Sequence, residues 1–133
     1  MRTTQYSEEN LPRIARYLGF ENEPKWLTIR LAISISMALN EAINYNEKID
    51  FTGGKVYNWD VITGKGKNEL HGDQADYHDI IALIIVNSNN TQIAGDKDLE
   101  KALEYHCERG FNILASSWKD KSDVFEWLGQ EFL

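Results

Sequence analysis

Residues 24–42 read PKWLTIRLAISISMALNEA, and this stretch decides the fold. Between Lys25 and Glu41 its only formally charged side chain is Arg30. Large apolar side chains fall on every side of a helical wheel, which is typical of a helix buried in a core. The run is shorter than the roughly 20 apolar residues that span a bilayer. We therefore predict a central core helix that begins near Pro24.

Hydrophobic periodicity elsewhere predicts further helices around this core helix. Asn10 is a suitable cap for the first of them, and residues 1–9 before it are expected to be loose. Small side chains at Ser34, Ser36 and Ala38 would let another backbone approach the core helix closely, from the same chain or from an identical subunit. The expected helices cover residues 10–19, 24–42, 74–87 and 96–117, with a last one after Ser122.

The periodicity changes between residues 48 and 67, where β-branched and aromatic side chains alternate with glycine-containing turns. This pattern predicts a small β-hairpin or an ordered loop within an insert of residues 46–72. The complete sequence therefore predicts a mainly α fold. Residues 1–133 are expected to form a single compact domain of about five helices, with the hairpin or loop insert near residues 48–67.

The chain is acidic, with 14 Lys and Arg against 21 Asp and Glu and a net charge of -7 at pH 7. This balance argues against a general nucleic-acid coat protein, because neutralising phosphates requires a basic face. The charge is unevenly distributed: residues 1–67 hold nine basic and eight acidic side chains, whereas residues 68–133 hold five and thirteen. A local basic surface in the first half remains compatible with the composition.

Cys107 is the only cysteine, so an internal disulfide framework is excluded and a reducing compartment is expected. The first residues lack the basic-then-apolar pattern of a signal peptide. We expect a cytoplasmic protein without membrane contact.

Cations from the first helix, the start of the core helix and the glycine-containing loops could converge on one surface. Such a surface would bind DNA phosphates without reading base sequence. The alternative interpretation is ordinary solvated charge. Tyr57 and Trp59, in the aromatic loop, are candidates for binding a protein partner. The candidate DNA-binding residues are Arg13, Arg16, Lys25, Arg30, Lys55, Lys65 and Lys67.

Two other patterns suggest phosphate or metal chemistry less strongly. Gly53-Gly54-Lys55 and Gly64-Lys65-Gly66-Lys67 both lack the full spacing of a P-loop. His71, Asp73 and His78 could hold a transition metal if a loop and the first turn of a helix brought them together. Asp73 is more economically explained as a helix cap, so we assign no metal and no cofactor.

His106 and Cys107 are adjacent, which could suggest a base beside a nucleophile. Neighbouring residues on a helix point in different directions, so a buried histidine is the better interpretation. No pair of carboxylates and no Ser/His/Asp spacing stands out. The residues alone indicate a non-catalytic helical module.

Several segments together resemble the DndE family of bacterial DNA phosphorothioate modification. The resemblance lies in a short helix ending in Leu-Gly, a core helix containing R-x-A-I-x-x-S, a basic glycine loop, an apolar helix and a closing H-x-x-x-G segment. The corresponding segments are Arg13–Gly19, Ile29–Ser36, Gly64–Leu70, Ile80–Val86 and His106–Gly110.

This resemblance implies a small accessory subunit that is not itself the sulfur-transfer catalyst. It implies work alongside a cysteine desulfurase, a sulfurtransferase and an ATPase, with self-association and binding to nicked duplex DNA through lysines. Lys55, Lys65 and Lys67 are the nearest candidates for that contact. A second hypothesis is a protein-interaction module of this or another bacterial defence complex, without direct DNA contact.

Overall fold

A computed structural model describes residues 1–39, 41–64, 81–85 and 94–118, together with positions 123, 126, 127, 129 and 130. The protein is mainly helical over these residues, which confirms the predicted fold class. Residues 81–85 are also helical. The four helices with defined ends are α1 (Gln5–Tyr17), α2 (Lys25–Ala38), α3 (Trp59–Thr63) and α4 (Asp96–Ser117).

The packing of α2 against α4 is the most extensive helix pairing among the described residues. Ile29 and Ile33 of α2 are buried, as is Phe111 of α4. At the crossing, a Cβ atom on Gly110 would lie 1.9 Å from the carbonyl oxygen of Ala32. Only glycine lets the two backbones come this close. The predicted core helix is therefore present and packs against the long C-terminal helix.

The core helix is shorter than residues 24–42 and is not buried on every side. Ser34 and Ala38 are exposed. The helix ends at Ala38, and Arg109 of α4 donates to the carbonyl oxygen of Ser36 at 2.8 Å. This guanidinium satisfies an acceptor that the end of a helix leaves without a partner.

The N-terminal segment is ordered, so the prediction that residues 1–9 are loose is wrong. Thr4, and not Asn10, caps α1: its Oγ1 accepts from the backbone N–H of Ser7 at 3.1 Å. The hydroxyls of Thr4 and Ser7 donate to Glu108 at 2.6 and 2.9 Å. These polar side chains are buried because their hydrogen bonds are satisfied, which apolar periodicity does not detect.

The described part of the insert pairs with the N-terminal segment. Arg2 and Val56 form an isolated antiparallel bridge, and the N–H of Thr3 donates to the carbonyl oxygen of Lys55 at 2.9 Å. Over residues 48–64 no hairpin forms, so that alternative is wrong there: the chain is a loop followed by α3. Two short strands are marginal on their own, whereas the N-terminal segment is already held by the core. The rest of the insert lies outside the described residues.

α4 buries an apolar stripe against the core, including Leu99, Leu103 and Leu114. A charged side chain, Glu104, is buried as well and is only 4% exposed. The backbone N–H of Arg2 and its guanidinium Nε donate to Glu104 Oε2 at 2.6 and 2.9 Å. A carboxylate is buried at tolerable cost when it is paired, and Arg2 supplies the pairing.

The two remaining predicted helices are described in part. Residues 81–85 lie within the expected helix of residues 74–87 and are helical. In the expected last helix, the described positions 123, 126, 127, 129 and 130 are all helical. Trp127 is buried, and its ring packs edge-on against Trp118 at a centroid distance of 5.5 Å. It therefore belongs to the core.

Replacing Gly110 with alanine is expected to lower the free energy of unfolding by about 2 kcal/mol, because the added methyl group forces α2 and α4 apart. This loss exceeds the roughly 1 kcal/mol that alanine gains over glycine within a helix. Urea unfolding followed by circular dichroism measures the difference.

Gly129→Ala is the matched control, since Gly129 is helical and exposed and an added Cβ meets nothing within 4 Å. We expect no loss of stability in this variant. A Gly110→Ala protein as stable as the control would contradict the close crossing.

Candidate nucleic-acid interface

Two of the seven predicted DNA-binding cations hold the fold together. The guanidinium of Arg13 donates to the carbonyl oxygens of Trp118 and Ala115, the latter at 3.1 Å, at the C-terminal end of α4. Arg30 does the same at the C-terminal end of α3, where it donates to Val61 at 3.2 Å and also to Ile62. These donors are committed to backbone acceptors that helix ends leave unpaired.

Lys25 and Lys55, here called the lysine pair, come together beside the N-terminal end of α2. Both side chains are exposed. The neighbouring Lys25 side chain lowers the pKa of Lys55, so the two groups are close enough to interact. Like charges side by side disfavour the charged state of each other. An anion between them would relieve that repulsion.

Glu8 of α1 anchors the lysine pair. Its Oε1 lies 3.7 Å from Lys25 Nζ, and its Oε2 accepts from Thr3 Oγ1 at 2.7 Å. The hydroxyl of Tyr57 donates to the same carboxylate at 3.0 Å. Because Thr3 is also hydrogen-bonded to the backbone of Lys55, Thr3 connects Glu8 to the Lys55 backbone while the Glu8 carboxylate pairs with the Lys25 side chain.

Tyr57 therefore has an internal role that the sequence did not reveal. Its ring is half-buried, and its hydroxyl is engaged by Glu8. Burial and the Glu8 carboxylate raise the pKa of Tyr57, so the phenol stays protonated as a donor. This places Tyr57 in the support of the lysine pair.

Arg16 lies along the same side of the molecule as Lys25. Both line a groove of about 300 Å³ between α1 and α2. The Arg16 side chain is exposed and makes no hydrogen bond or ion pair with the described residues. Glu21 and Glu23 also line the groove, so its positive charge is partly balanced.

The remaining candidates lie outside the described residues. These are Lys65 and Lys67, the side chain of Trp59, and the potential metal ligands His71, Asp73 and His78. Within the part of the chain that is described, no group of three or more His, Cys, Asp or Glu side chains is arranged to hold a metal ion.

His106 is a buried histidine, as predicted, with no measurable exposure. Its Nδ1 lies 2.8 Å from Ser36 Oγ, which accepts from Arg109 Nε at 2.7 Å. Burial, reinforced by the Arg109 charge, lowers the pKa of His106 to about 4, so the ring is neutral at pH 7. Burial also raises the pKa of Cys107 and keeps it a thiol, which does not suit a nucleophile.

The sequence interpretation missed a second group of cations, lining a cleft of about 550 Å³. We call it the Arg2 cleft; its charged lining residues are Arg2, Lys48, Lys97, Glu100, Lys101 and Glu104. Residues 1–9, which include Arg2, are predicted from the sequence to be loose. Lys97 and Lys101 belong to the half of the chain in which acidic side chains predominate. Neither feature indicates a basic cleft.

The family model for "DNA sulphur modification protein DndE" matches residues 1–122 of the 133-residue chain. The chain belongs to the DndE family. No curated protein and no solved structure gives a significant match. Membership places this DndE protein in DNA sulphur modification.

The matched residues of the DndE chain include α1 to α4, the lysine pair and the Arg2 cleft. Neither basic region is thus an appendage outside the family domain. None of the helices in the described ranges is both long enough and apolar enough to cross a membrane.

The buried His106 makes the stability of this DndE protein pH-dependent. Its folded pKa of about 4 lies below the ordinary value of 6.5, so the unfolded chain binds the proton more readily between these pH values. The free energy of unfolding should fall by about 2 kcal/mol from this residue as the pH drops from 7 to 5, and the loss levels off below pH 4.

Urea unfolding of wild type and His106→Gln at pH 7 and pH 5 isolates this contribution, because the carboxylates titrate in both proteins. The variant should lose less stability than wild type over the same interval. An NMR titration of the His106 ring provides a check that does not depend on the variant. A ring that is half protonated near pH 6.5 in the folded protein would contradict the assignment.

Proposed function

We propose that this DndE protein is a non-catalytic accessory subunit of the DNA phosphorothioate modification system. In this proposal it binds the phosphate backbone of DNA with little sequence preference. The observation that carries the proposal is the lysine pair, two exposed cations close enough to repel each other, of which Lys25 lies 3.7 Å from Glu8. The proposed contact also includes Arg16, which lines the neighbouring groove, and Lys65 and Lys67, which lie outside the described residues.

Phosphate contact fits the chemistry of this surface. A phosphate between Lys25 and Lys55 replaces like-charge repulsion by two attractive interactions. Lysine is a compact charge on a flexible stem, which suits a regularly spaced phosphate chain better than it suits base readout. The net charge of -7 opposes general attraction to DNA, so binding has to come from this local surface.

A non-catalytic role is supported by the protonation and the hydrogen bonds of the side chains that could act as a base or a nucleophile. His106 is neutral and committed to Ser36, and Cys107 is buried as a thiol. Glu8 is occupied by Thr3, Tyr57 and Lys25. Within the described residues, the groups most suited to proton transfer or nucleophilic attack are thus engaged in supporting the fold.

The proposed partners are the sulfurtransferase and ATPase subunits of the modification complex in the cytoplasm. Self-association is also proposed, because Ser34 and Ala38 expose small side chains on the outer side of α2. Small residues at a helix surface allow a second backbone to approach closely. Trp59 is kept as a partner-binding candidate.

The alternative function is a protein-interaction module of a bacterial defence complex that does not touch DNA. The observation that favours it is an exposed apolar surface on the helical residues 81–85. Leu83 is 60% exposed and Ile84 is 38% exposed. Apolar side chains exposed together are typical of a protein-binding surface.

The DNA-binding proposal predicts a defined salt dependence. If Arg16, Lys25, Lys55, Lys65 and Lys67 each neutralise one phosphate, log affinity for duplex DNA should fall with log salt at a slope of about -4.5. Replacing Lys25 and Lys55 by glutamine should reduce the slope to about -2.7, because two released counterions are lost. Fluorescence anisotropy with a labelled duplex over a range of salt concentrations measures both slopes.

Lys97→Gln together with Lys101→Gln is the matched control, since it removes the same charge from exposed lysines of the Arg2 cleft. For a duplex with 5′-hydroxyl ends, which offers no terminal phosphate, we expect the affinity of this variant to stay within about twofold of wild type, since each exposed charge beyond about 8–10 Å is screened. A wild-type affinity that does not respond to salt would rule out DNA binding through these cations.

The proposed partners are tested by recovery of tagged protein from its native cell, with and without nuclease treatment. Mass spectrometry should identify a sulfurtransferase and an ATPase in both samples if protein contacts hold the complex. Retention of these partners by a protein without duplex affinity would establish the alternative function. Recovery of neither partner from either sample would contradict the accessory role.

A further inference from the structure

The Arg2 cleft concentrates positive charge on an acidic protein. Its lining includes four cations, Arg2, Lys48, Lys97 and Lys101, and two carboxylates, Glu100 and Glu104. Four positive charges less two negative charges leave a local charge of +2, against -7 for the chain. A cavity whose lining has an excess of one sign of charge focuses the electric field and attracts ions of the opposite sign.

Arg2 is held in a fixed position within this cleft. Its Nε and Nη2 donate to Glu104 at 2.9 and 3.2 Å, and its guanidinium lies 4.1 Å from the centre of the Phe51 ring. Glu104 is 4% exposed, whereas the Arg2 side chain is 55% exposed. The buried carboxylate therefore orients a guanidinium whose other N–H groups remain available to solvent. A pre-oriented arginine is well suited to binding a phosphate group.

The three lysines add mobile charge around this fixed guanidinium. Lys97 and Lys101 lie four residues apart, on successive turns of α4, and so share one face of the helix. Lys101 Nζ lies 5.8 Å from the centre of the Tyr105 ring. None of the three lysines forms an ion pair with a carboxylate of the described residues. Their charge is therefore available to a ligand.

We propose that the Arg2 cleft binds an anion with clustered phosphate charge, either the di- or triphosphate of a free nucleotide or the terminal phosphate of a nucleic-acid strand. A phosphodiester in a DNA backbone carries one negative charge, and successive phosphates are separated along the strand. Four cations around one cavity of about 550 Å³ match a ligand with two or more negative charges at one place. Charge-assisted hydrogen bonds from the guanidinium and ammonium groups supply the recognition.

This site is separate from the DNA contact proposed above and does not depend on it. The lysine pair lies over Glu8, whereas the Arg2 cleft is built on Glu104 of α4. Adjacent residues of the N-terminal segment serve the two regions: Thr3 bonds to Glu8 and Arg2 bonds to Glu104. Substitutions on one surface are thus expected to leave the other intact.

Isothermal titration calorimetry with sodium pyrophosphate tests the site directly on the complete chain. Wild type should bind pyrophosphate, and the double variant Lys97→Gln and Lys101→Gln should bind it at least tenfold more weakly. Both lysines are exposed, so the variant should fold normally, which circular dichroism verifies. Lys25→Gln together with Lys55→Gln removes the other proposed phosphate contact, and the tenfold loss caused by Lys97→Gln and Lys101→Gln should recur in that background.

Two further ligands distinguish the sources of phosphate. Competition by ADP that is stronger than that of pyrophosphate indicates a free nucleotide. A single-stranded oligonucleotide with a 5′-phosphate that binds at least tenfold tighter than its 5′-hydroxyl form indicates a strand end. In both cases the preference should disappear in the Lys97 and Lys101 variant.

Absence of pyrophosphate binding at millimolar concentration would overturn the inference, as would absence of the tenfold loss in the Lys25 and Lys55 background. If pyrophosphate does not bind but duplex affinity still falls with salt as predicted, the inference about the Arg2 cleft is rejected and the proposed function is retained. Pyrophosphate binding in a protein without duplex affinity would support the cleft and reject the DNA contact.

Discussion

The backbones of α2 and α4 cross so closely at Ala32 and Gly110 that a single methyl group does not fit between them. This separation determines which polar groups can meet across the interface. Ser36 lies one turn beyond Ala32, and its short side chain reaches His106 of α4 only because the helices are this close. A wider spacing would break the contact between Ser36 and His106 and separate Ser36 from Arg109, at a cost of about 1–3 kcal/mol for a buried group that loses its hydrogen bond. The close crossing and the polar network thus require each other.

Arginines occupy the C-terminal ends of three helices. Arg109 bonds to the end of α2, Arg30 to the end of α3 and Arg13 to the end of α4. The free carbonyl oxygens there carry partial negative charge, so a cation both supplies donors and complements the helix dipole. Each of these contacts joins two separate elements. Three of the five arginines of an acidic chain therefore act in its architecture.

The main helices were predictable because their apolar patterns are long and regular. The core helix and α4 were found close to their observed positions, since a stripe such as Leu99, Leu103 and Leu114 has few other interpretations. Burial that depends on hydrogen bonds was not predictable. Thr4, Ser7 and Glu104 look like surface residues in sequence, and only the assembled fold shows the groups that pair with them.

The candidate binding residues show the same difference between features visible in the sequence and contacts made only in the assembled fold. Charge and position along the chain identified Lys25 and Lys55, but could not separate them from Arg13 and Arg30, whose guanidiniums turn toward backbone carbonyls. The Arg2 cleft escaped prediction because its members come from three distant parts of the sequence. Long-range pairing of this kind has no local pattern, so no reading of periodicity reveals it.

The extended segment before α1 has one further consequence. In an extended chain, successive side chains point to opposite sides, which is how Arg2 meets Glu104 while Thr3 meets Glu8. Register is therefore more critical than residue identity in this segment. A substitution at one position disturbs one surface, but inserting a single residue between Thr3 and Thr4 would exchange the two sides. The guanidinium would then face Glu8 and the hydroxyl would face Glu104, so both basic regions would lose their support at once.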